Sequence, residues 1–511
     1  MQSLLLTLSL IGLSVLLAVP LGTGLALALA LCGGSRYAKR LRSIATLLLL
    51  VLICLPMYLH AAAWEATAGK YGWIPLMQVN ANRFWFTGLT AAAWVHGVSG
   101  AAWVALATLW GLRQVPSETL RQASLETTLW QRLWHIGIPA AKPAITVAAL
   151  WVALLASTEM TVADLYGVRT LADRVYLQYA FAPETLPIAL ACAVPLLIAT
   201  VLAAFLSRLV KTDRGRPMRD AAWASTDHVP FQTDTERGWL PLVAASLVAG
   251  ILLAIVVVPL LSLIVKAGLL VQPACASASG PRYSWSMSRW LQTLSESFTT
   301  FGAEYYWTFV LALATSLIAL VIAILAAAWA DGSPTRARIG FFTAVAMVVL
   351  PGPVVGMVVV HLFHNQGDFL STLYQRSIFP TVVALLPRAG PASYLVMRAG
   401  FRMLDRSPHE AAKCDGVSWL QRLLRVDLPR LWAAVGTAAL AAAIVAIADV
   451  PATLVVLPPG ISTLGTRIFG LLHSGVRYQA AGLAITSSLL VAFVVVIAYR
   501  IHHLRLRRRV G

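Results

Sequence analysis

Tyr305-Tyr306-Trp307-Thr308-Phe309-Val310-Leu311-Ala312-Leu313-Ala314-Thr315-Ser316-Leu317-Ile318-Ala319-Leu320-Val321-Ile322-Ala323-Ile324-Leu325-Ala326-Ala327-Ala328-Trp329-Ala330 carries no charge between Glu304 and Asp331. A helix needs roughly 20 residues to cross the ~30 Å hydrocarbon layer of a bilayer, so this run reads as a spanning helix. Lipid offers no partner to an open backbone amide, which leaves only helices and closed barrels as spanning forms. The run lacks the strict alternation of a barrel strand.

Runs of the same kind recur near 2–32, 43–63, 86–111, 142–161, 185–209, 238–270, 304–330, 339–364, 379–400, 432–457 and 478–501, eleven in all. They account for a chain of 511 residues that is 59% hydrophobic and 12% charged, where soluble domains hold about 25% charged residues. The first run is not read as a secretion signal, because it lacks a basic leader and is too long. The expected fold class is all-α, a polytopic protein embedded in a lipid bilayer.

The net charge of +18 does not imply nucleic acid. Its Lys and Arg sit in short connections between apolar runs rather than along one soluble face. Arg36, Lys39, Arg40 and Arg42 form one group; Arg208, Lys211, Arg214, Arg216 and Arg219 a second; Arg336 and Arg338 a third; Arg500, Arg505, Arg507, Arg508 and Arg509 a fourth. The positive-inside rule puts these in the cytoplasm. The connections 64–85, 162–184, 271–303 and 458–477 then face outward, with the N-terminus outside and the C-terminus cytoplasmic. A polar stretch, 210–237, reads as a cytoplasmic linker between a first half, 1–209, with five spans and a second half, 238–511, with six. The first half lacks a counterpart of 238–270, so either it is shorter or its start lies upstream. Cys32, Cys54, Cys192, Cys275 and Cys414 show no metal-knuckle spacing, and no disulfide framework is expected.

The halves repeat. An ungapped shift of 290 positions pairs Gly100 with Gly390, Ser117 with Ser407, Gln131-Arg132-Leu133 with Gln421-Arg422-Leu423, Pro139 with Pro429, Ala148-Ala149-Leu150 with Ala438-Ala439-Leu440, and Glu159 with Asp449. After a three-residue slip, Thr170 through Tyr176 matches Thr463 through Phe469. Repeated elements have the same inferred orientation, so the repeat is parallel, with its pseudo-axis along the membrane normal.

Between the ninth and tenth spans lies Asp405-Arg406-Ser407-Pro408-His409-Glu410-Ala411-Ala412-Lys413-Cys414-Asp415-Gly416, followed by Val417-Ser418-Trp419 through Val426-Asp427-Leu428-Pro429. Ser407 is placed to cap a helix, Ala411 and Ala412 allow a partner to approach closely, and Gly416 can end the helix with a left-handed residue. A short helix pair parallel to the membrane is expected. A simple amphipathic surface helix would need neither the Gly nor the Leu-Pro.

This loop resembles the Glu-Ala-Ala loop of binding-protein-dependent ABC importer permeases: Glu-Ala-Ala, Gly six positions after the Glu, then Leu-Pro ending thirteen after the Gly. The resemblance implies a coupling helix held in a groove of a separate cytoplasmic ATPase subunit, itself a dimer, with solute delivered by a periplasmic or extracellular binding protein. It implies alternating access, no cofactor of the permease's own, and a bacterial inner membrane. The docking residues it points to are Glu410, Ala411, Ala412, Asp415, Gly416, Leu428 and Pro429 within the loop 401–430. The first-half loop, 112–141, keeps Gln131, Arg132 and Pro139, with Glu126 at the position of Gly416. In ungapped register Leu120, Arg121 and Gln122 replace Glu, Ala and Ala; a one-residue slip would align Arg121 through Thr127 instead. The stretch Ala448 through Leu454, with Pro458-Pro459-Gly460 and Ser462 through Arg467, is similar to the ferric-iron branch of the family, of which thiamine and polyamine permeases are relatives.

Glu159 and Asp449 lie late in equivalent spans, where acidic groups are rare. They either line a translocation path or bond neighbouring backbone, and Arg388 is a candidate partner of Asp449. His361 and His364, with His60 in the first half, make too small a set for a metal site. Trp64, Trp73, Trp85, Trp94 and Trp103 read as interface belts. No Gly-x-x-x-x-Gly-Lys-Ser/Thr stretch occurs and no nucleophile constellation marks an enzyme, so nucleotide hydrolysis falls to another chain. Two rival readings are an ion-coupled secondary transporter, with Glu159 and Asp449 as carriers, and a membrane-embedded enzyme or scaffold.

Overall fold

Proline marks the places where these apolar helices depart from a straight course. The computed structural model describes residues 2–33, 35–69, 72, 86–179, 185–212, 239–272, 282–364, 367–475 and 477–510. Most of the stretch read as a linker, together with Trp73, Trp85 and Cys275, lies outside these residues.

In the first half the order is α1 (Gln2–Leu31), α2 (Arg36–Cys54), α3 (Met57–Ala68), α4 (Gly88–Arg113), α5 (Ser117–Glu126), α6 (Leu129–Thr158), α7 (Thr161–Leu165), α8 (Leu171–Tyr179) and α9 (Thr185–Thr212). Then come α10 (Leu240–Ala267), a hairpin of β1 (Leu269–Gln272) and β2 (Arg282–Trp285), and α11 (Met287–Thr299). The second half follows with α12 (Gly302–Asp331), α13 (Pro334–Val349), α14 (Gly352–His364), α15 (Asp368–Arg376), α16 (Phe379–Met403), α17 (Ser407–Cys414), α18 (Trp419–Arg430), α19 (Trp432–Ala448), α20 (Val450–Val456), α21 (Leu464–Ser474) and α22 (Arg477–Val510).

Among the described residues, seven helices are long and apolar enough to span, and four bent pairs bring the number to as many as eleven. The fold is all-α and polytopic, as the sequence implied. Two expected single spans are in fact broken. Between α2 and α3 the chain turns by 106°, and between α13 and α14 by 95°. The breaks fall at Leu55-Pro56 and Leu350-Pro351, where each Leu is extended. The residue before a proline is pushed out of the helical region, which explains both turns. The expected 432–457 span also ends early, at Ala448, and the 271–303 connection holds the antiparallel hairpin and α11.

The halves share one plan. α1, α4 and α6 pack together in the first half, as α12, α16 and α19 do in the second. Ala18, Val104, Ala148 and Val152 meet in one seam; Ala319, Ala389 and Ala442 meet in the other. Lipid tails are as apolar as the helices, so close approach through small residues, rather than exclusion of water, holds such seams together. Thr7 Oγ1 accepts from the Leu171 amide at 2.9 Å, and Thr308 Oγ1 accepts from the Leu464 amide at 2.9 Å, one clamp built twice.

The halves also interlock. α9 packs on α13 and α8 on α14; reciprocally, α22 packs on α2 and α21 on α3. α10 touches α1 and α3 of the first half and α22 of the second.

Candidate functional site

The second-half loop starts from a carboxylate. Asp405 accepts from the Ser407 amide at 3.2 Å, and the N-cap of α17 is Arg406, without a side-chain cap bond. The capping role expected of Ser407 is therefore not taken; Ser407 is the first helical residue, with Pro408 beside it, where a missing amide hydrogen costs nothing. α17 ends as expected. Gly416 has φ +74°, its amide donates to the Lys413 carbonyl at 3.2 Å, and the Val417 amide donates to the Ala412 carbonyl at 3.1 Å. This is the paired closure that a left-handed C′ glycine permits.

No residue of α17 is buried. Glu410, Ala411, Asp415 and Gly416 are exposed and Ala412 half-buried, so the Glu-Ala-Ala face is open. Trp419, Leu420 and Leu424 are also exposed, at 48%, 52% and 53%. α17 is fastened to the element below it: His409 Nδ1 lies 3.1 Å from both carboxylate oxygens of the buried Asp427. The Arg430 guanidinium donates to the Asp405 carbonyl at 3.0 Å.

The Leu-Pro of the motif has a structural meaning. Leu423–Asp427 forms a wide turn in which the Leu428 amide donates five residues back, to Leu423. Leu133–Gly137 does the same in the first half, 290 positions earlier, and Leu253–Val257 does so within α10. Each wide turn is followed by proline two residues later, at Pro139, Pro259 and Pro429. A proline ring clashes with the carbonyl four residues back, which is the central residue of the turn each time, and widening the helix there relieves the clash. Proline alone does not force the turn, since Pro20, Pro143 and Pro195 sit inside ordinary α-helix.

The first-half loop follows the ungapped register. α5 begins at Ser117 and the next N-cap is Thr128, which correspond to Ser407 and Ser418 at the same shift of 290. No slip is needed. Thr128 and Gln131 form a capping box, and Ser418 accepts from the Gln421 amide. Leu120, in the place of Glu410, is buried in a cluster with Ala30, Leu112, Leu129 and Leu133. Glu126 is exposed and is the last residue of α5, where the second half has Gly416; the helix runs on and ends in extended Thr127. Gln131 and Pro139 are exposed, Arg132 is buried, and in the second loop Leu428 is half-buried and Pro429 exposed. The expected span 142–161 begins thirteen residues earlier, since α6 runs from Leu129 through the wide turn to Thr158 without a sharp bend. In the second half the chain turns by 85° between α18 and α19.

Glu159 and Asp449 each stand at the break between a span and a short helix. Glu159 accepts from the amides of Thr161 at 2.7 Å and Val162 at 2.9 Å, and from the Thr161 hydroxyl. Asp449 accepts from the Ala452 amide at 3.3 Å. A carboxylate there complements the positive end of the helix. His96 Nε2 lies 3.6 Å from Glu159, and Arg388 lies 3.5 Å from Asp449, the pairing read from the sequence. Across the halves, His473 of α21 meets Asp164 of α7 at 3.2 Å, and Arg169 faces both Asp164 (3.5 Å) and Asp173 (3.2 Å). These groups lie in connections between spans. The hydrogen bond to Asp164 raises His473 and holds Asp164 down, while burial and the neighbouring Asp164 push Asp173 up to about 7. Among the described residues no cluster of His, Cys, Asp or Glu is arranged to hold a metal ion.

Neither His409–Asp427 nor Asp164–His473 was legible in the sequence. The only hint of the first is an acid directly before Leu-Pro.

A family model described as binding-protein-dependent transport system inner membrane component matches residues 18–215 and again 319–509. The two matches coincide with the two structural repeats and leave out α10 and α11. No curated protein matches the chain.

Proposed function

The chain belongs to the family of binding-protein-dependent transport system inner membrane components, and from that premise we propose that it is the fused, two-half permease of an ATP-driven importer. A separate ATPase dimer seats on α17 and α5, and an external binding protein delivers the solute. The observation that carries the reading is α17: a Glu-Ala-Ala helix with no buried residue, closed by a left-handed glycine and tied to the base of α18 through His409 and Asp427. An isolated surface helix needs no such tether. A lever that transmits the closure of an ATPase to the spans does.

On the same reading the membrane is a bacterial inner membrane, with α17 in the cytoplasm. The solute is ferric iron, on the similarity of 448–467 to that branch; thiamine and polyamines are the competing solutes. Alternating access then proceeds by rotation of the two seams about the pseudo-axis between the halves.

Gly416→Val tests the lever. A β-branched residue at positive φ costs about 1–3 kcal/mol locally and misdirects α17 without touching the core. The expected result is an inserted permease that no longer retains its ATPase on purification and no longer takes up solute. Full uptake would overturn the lever. Uptake of labelled ferric iron, compared with thiamine and spermidine in cells carrying the whole transporter, tests the solute separately.

A further inference from the structure

α11 lies between the two family matches. Its thirteen residues are too few to span a bilayer, and they divide around the helix into three faces. Thr293 and Ser297 are buried at 1% exposure each, against α22 at Gly482, where an added Cβ would strike both side chains. Thr293 also donates to the Ala267 carbonyl at the end of α10, at 3.0 Å. A second face is polar: Arg289 donates to Gln292 at 3.3 Å, and Gln292 to Glu296 at 2.8 Å.

The third face is Met287, Leu291, Leu294 and Phe298, spaced by four, three and four residues. Three of these are more than half exposed: Met287 56%, Leu291 55% and Phe298 59%. An apolar stripe of this size needs a partner.

Its surroundings say which. Only Thr300 and Phe301 separate α11 from the span α12, and the Ser286 amide at its other end donates to the Gly268 carbonyl, one residue past the span α10, at 3.0 Å. Both ends of α11 are therefore held at the level where spans leave the bilayer. Phe298 stacks on Tyr305 at 5.4 Å, and the next outward residues of α12 are Tyr306 and Phe309, exposed at 60% and 66% on the flank of a membrane span. The stripe thus continues the lipid-facing surface of α12. A helix with one apolar face, one charged face and too little length to cross lies in the interface plane.

We propose that α11 is an interfacial helix that floats on the bilayer, with Met287, Leu291 and Phe298 among the acyl chains, Leu294 turned in against the core, and Gln292 and Glu296 toward water. It gives the second half a lipid-borne strut, bonded to α10 and packed on α22.

The test places a nitroxide on Leu291→Cys or, separately, on Gln292→Cys, in the full chain with its native cysteines replaced and reconstituted in phosphatidylcholine and phosphatidylglycerol vesicles. The label at 291 should collide preferentially with dissolved oxygen and that at 292 with a water-soluble nickel chelate, so that the oxygen-to-nickel ratio differs several-fold between them. Met287→Cys, on the same stripe, should repeat the result for 291 and guards against one poorly inserted variant. Equal nickel accessibility at 291 and 292 would overturn the proposal. So would a label at 291 that is wet in vesicles and shielded only when soluble binding protein is added, which would assign the stripe to that protein.

Discussion

In the second half, the loop between the seam helices is an exposed eight-residue helix closed by Gly416, tethered by His409 to Asp427, and turned by 85° before the span begins. In the first half the same stretch is a ten-residue helix that buries Leu120, ends without a glycine, and leads into α6, which is continuous with its span. Thr119 and Gly137 stand where His409 and Asp427 would be, so the first loop lacks that tether. The wide turn and the proline survive in both. What the repeat preserves is the root of the loop; what it lets diverge is the tip. The first tip is held by its own hydrophobic cluster and the second by the contact of His409 with Asp427, so the two loops present unequal surfaces.

The largest effect expected from this comparison comes from forcing the family's acid into the first loop. Leu120→Glu places a charge in the cluster of Ala30, Leu112 and Leu129 and should cost about 3 kcal/mol, seen as a lowered melting temperature in detergent. An unchanged melting temperature would mean that α5 is as free as α17. Next is the tether. Asp427→Ala should cost about 1–2 kcal/mol, since half of the pair is buried and His409 keeps one edge in water, and should loosen α17 to hydrogen exchange while α5 is unaffected. The reciprocal Glu410→Leu should change stability by less than about 0.5 kcal/mol, because the residue is exposed, yet weaken retention of the ATPase. Equal loss of retention with Glu126→Ala would show that both tips bear the same load.

The smallest effect is a pH dependence at the junction of the halves. His473 is raised by Asp164, so its contribution is complete below the ordinary histidine value of about 6.5 and fades as the pH climbs through the raised value. Asp164 is held down, so its share is present above about 3.9 and is lost in acid. Contact between α7 and α21 should thus be firmest between these limits, with Arg169 and Asp173 as the neighbouring charges. His473→Gln should flatten the alkaline side of a cross-linking profile between α7 and α21. A profile unchanged by the substitution would remove this pair from the junction.

Hydropathy, spacing and the position of basic residues are local properties, so the helical membrane fold, the two-half repeat and the place of the Glu-Ala-Ala loop could all be read from residues such as Leu317–Ala328 and Glu410–Gly416 without coordinates. Gly416 was legible for the same reason: a left-handed closure needs only its own backbone. The breaks at Leu55-Pro56 and Leu350-Pro351 were open to the same reading, as repeated Leu-Pro pairs inside apolar runs, but hydropathy averages over them. The tertiary structure alone decided that Asp405 precedes the helix that Ser407 was expected to cap, that Leu120 turns inward where Glu410 turns out, and that Asp427 belongs to His409 eighteen residues away. The last two depend on which helix lies across the gap. A buried charge or a half-exposed leucine takes its meaning from that neighbour rather than from its own sequence.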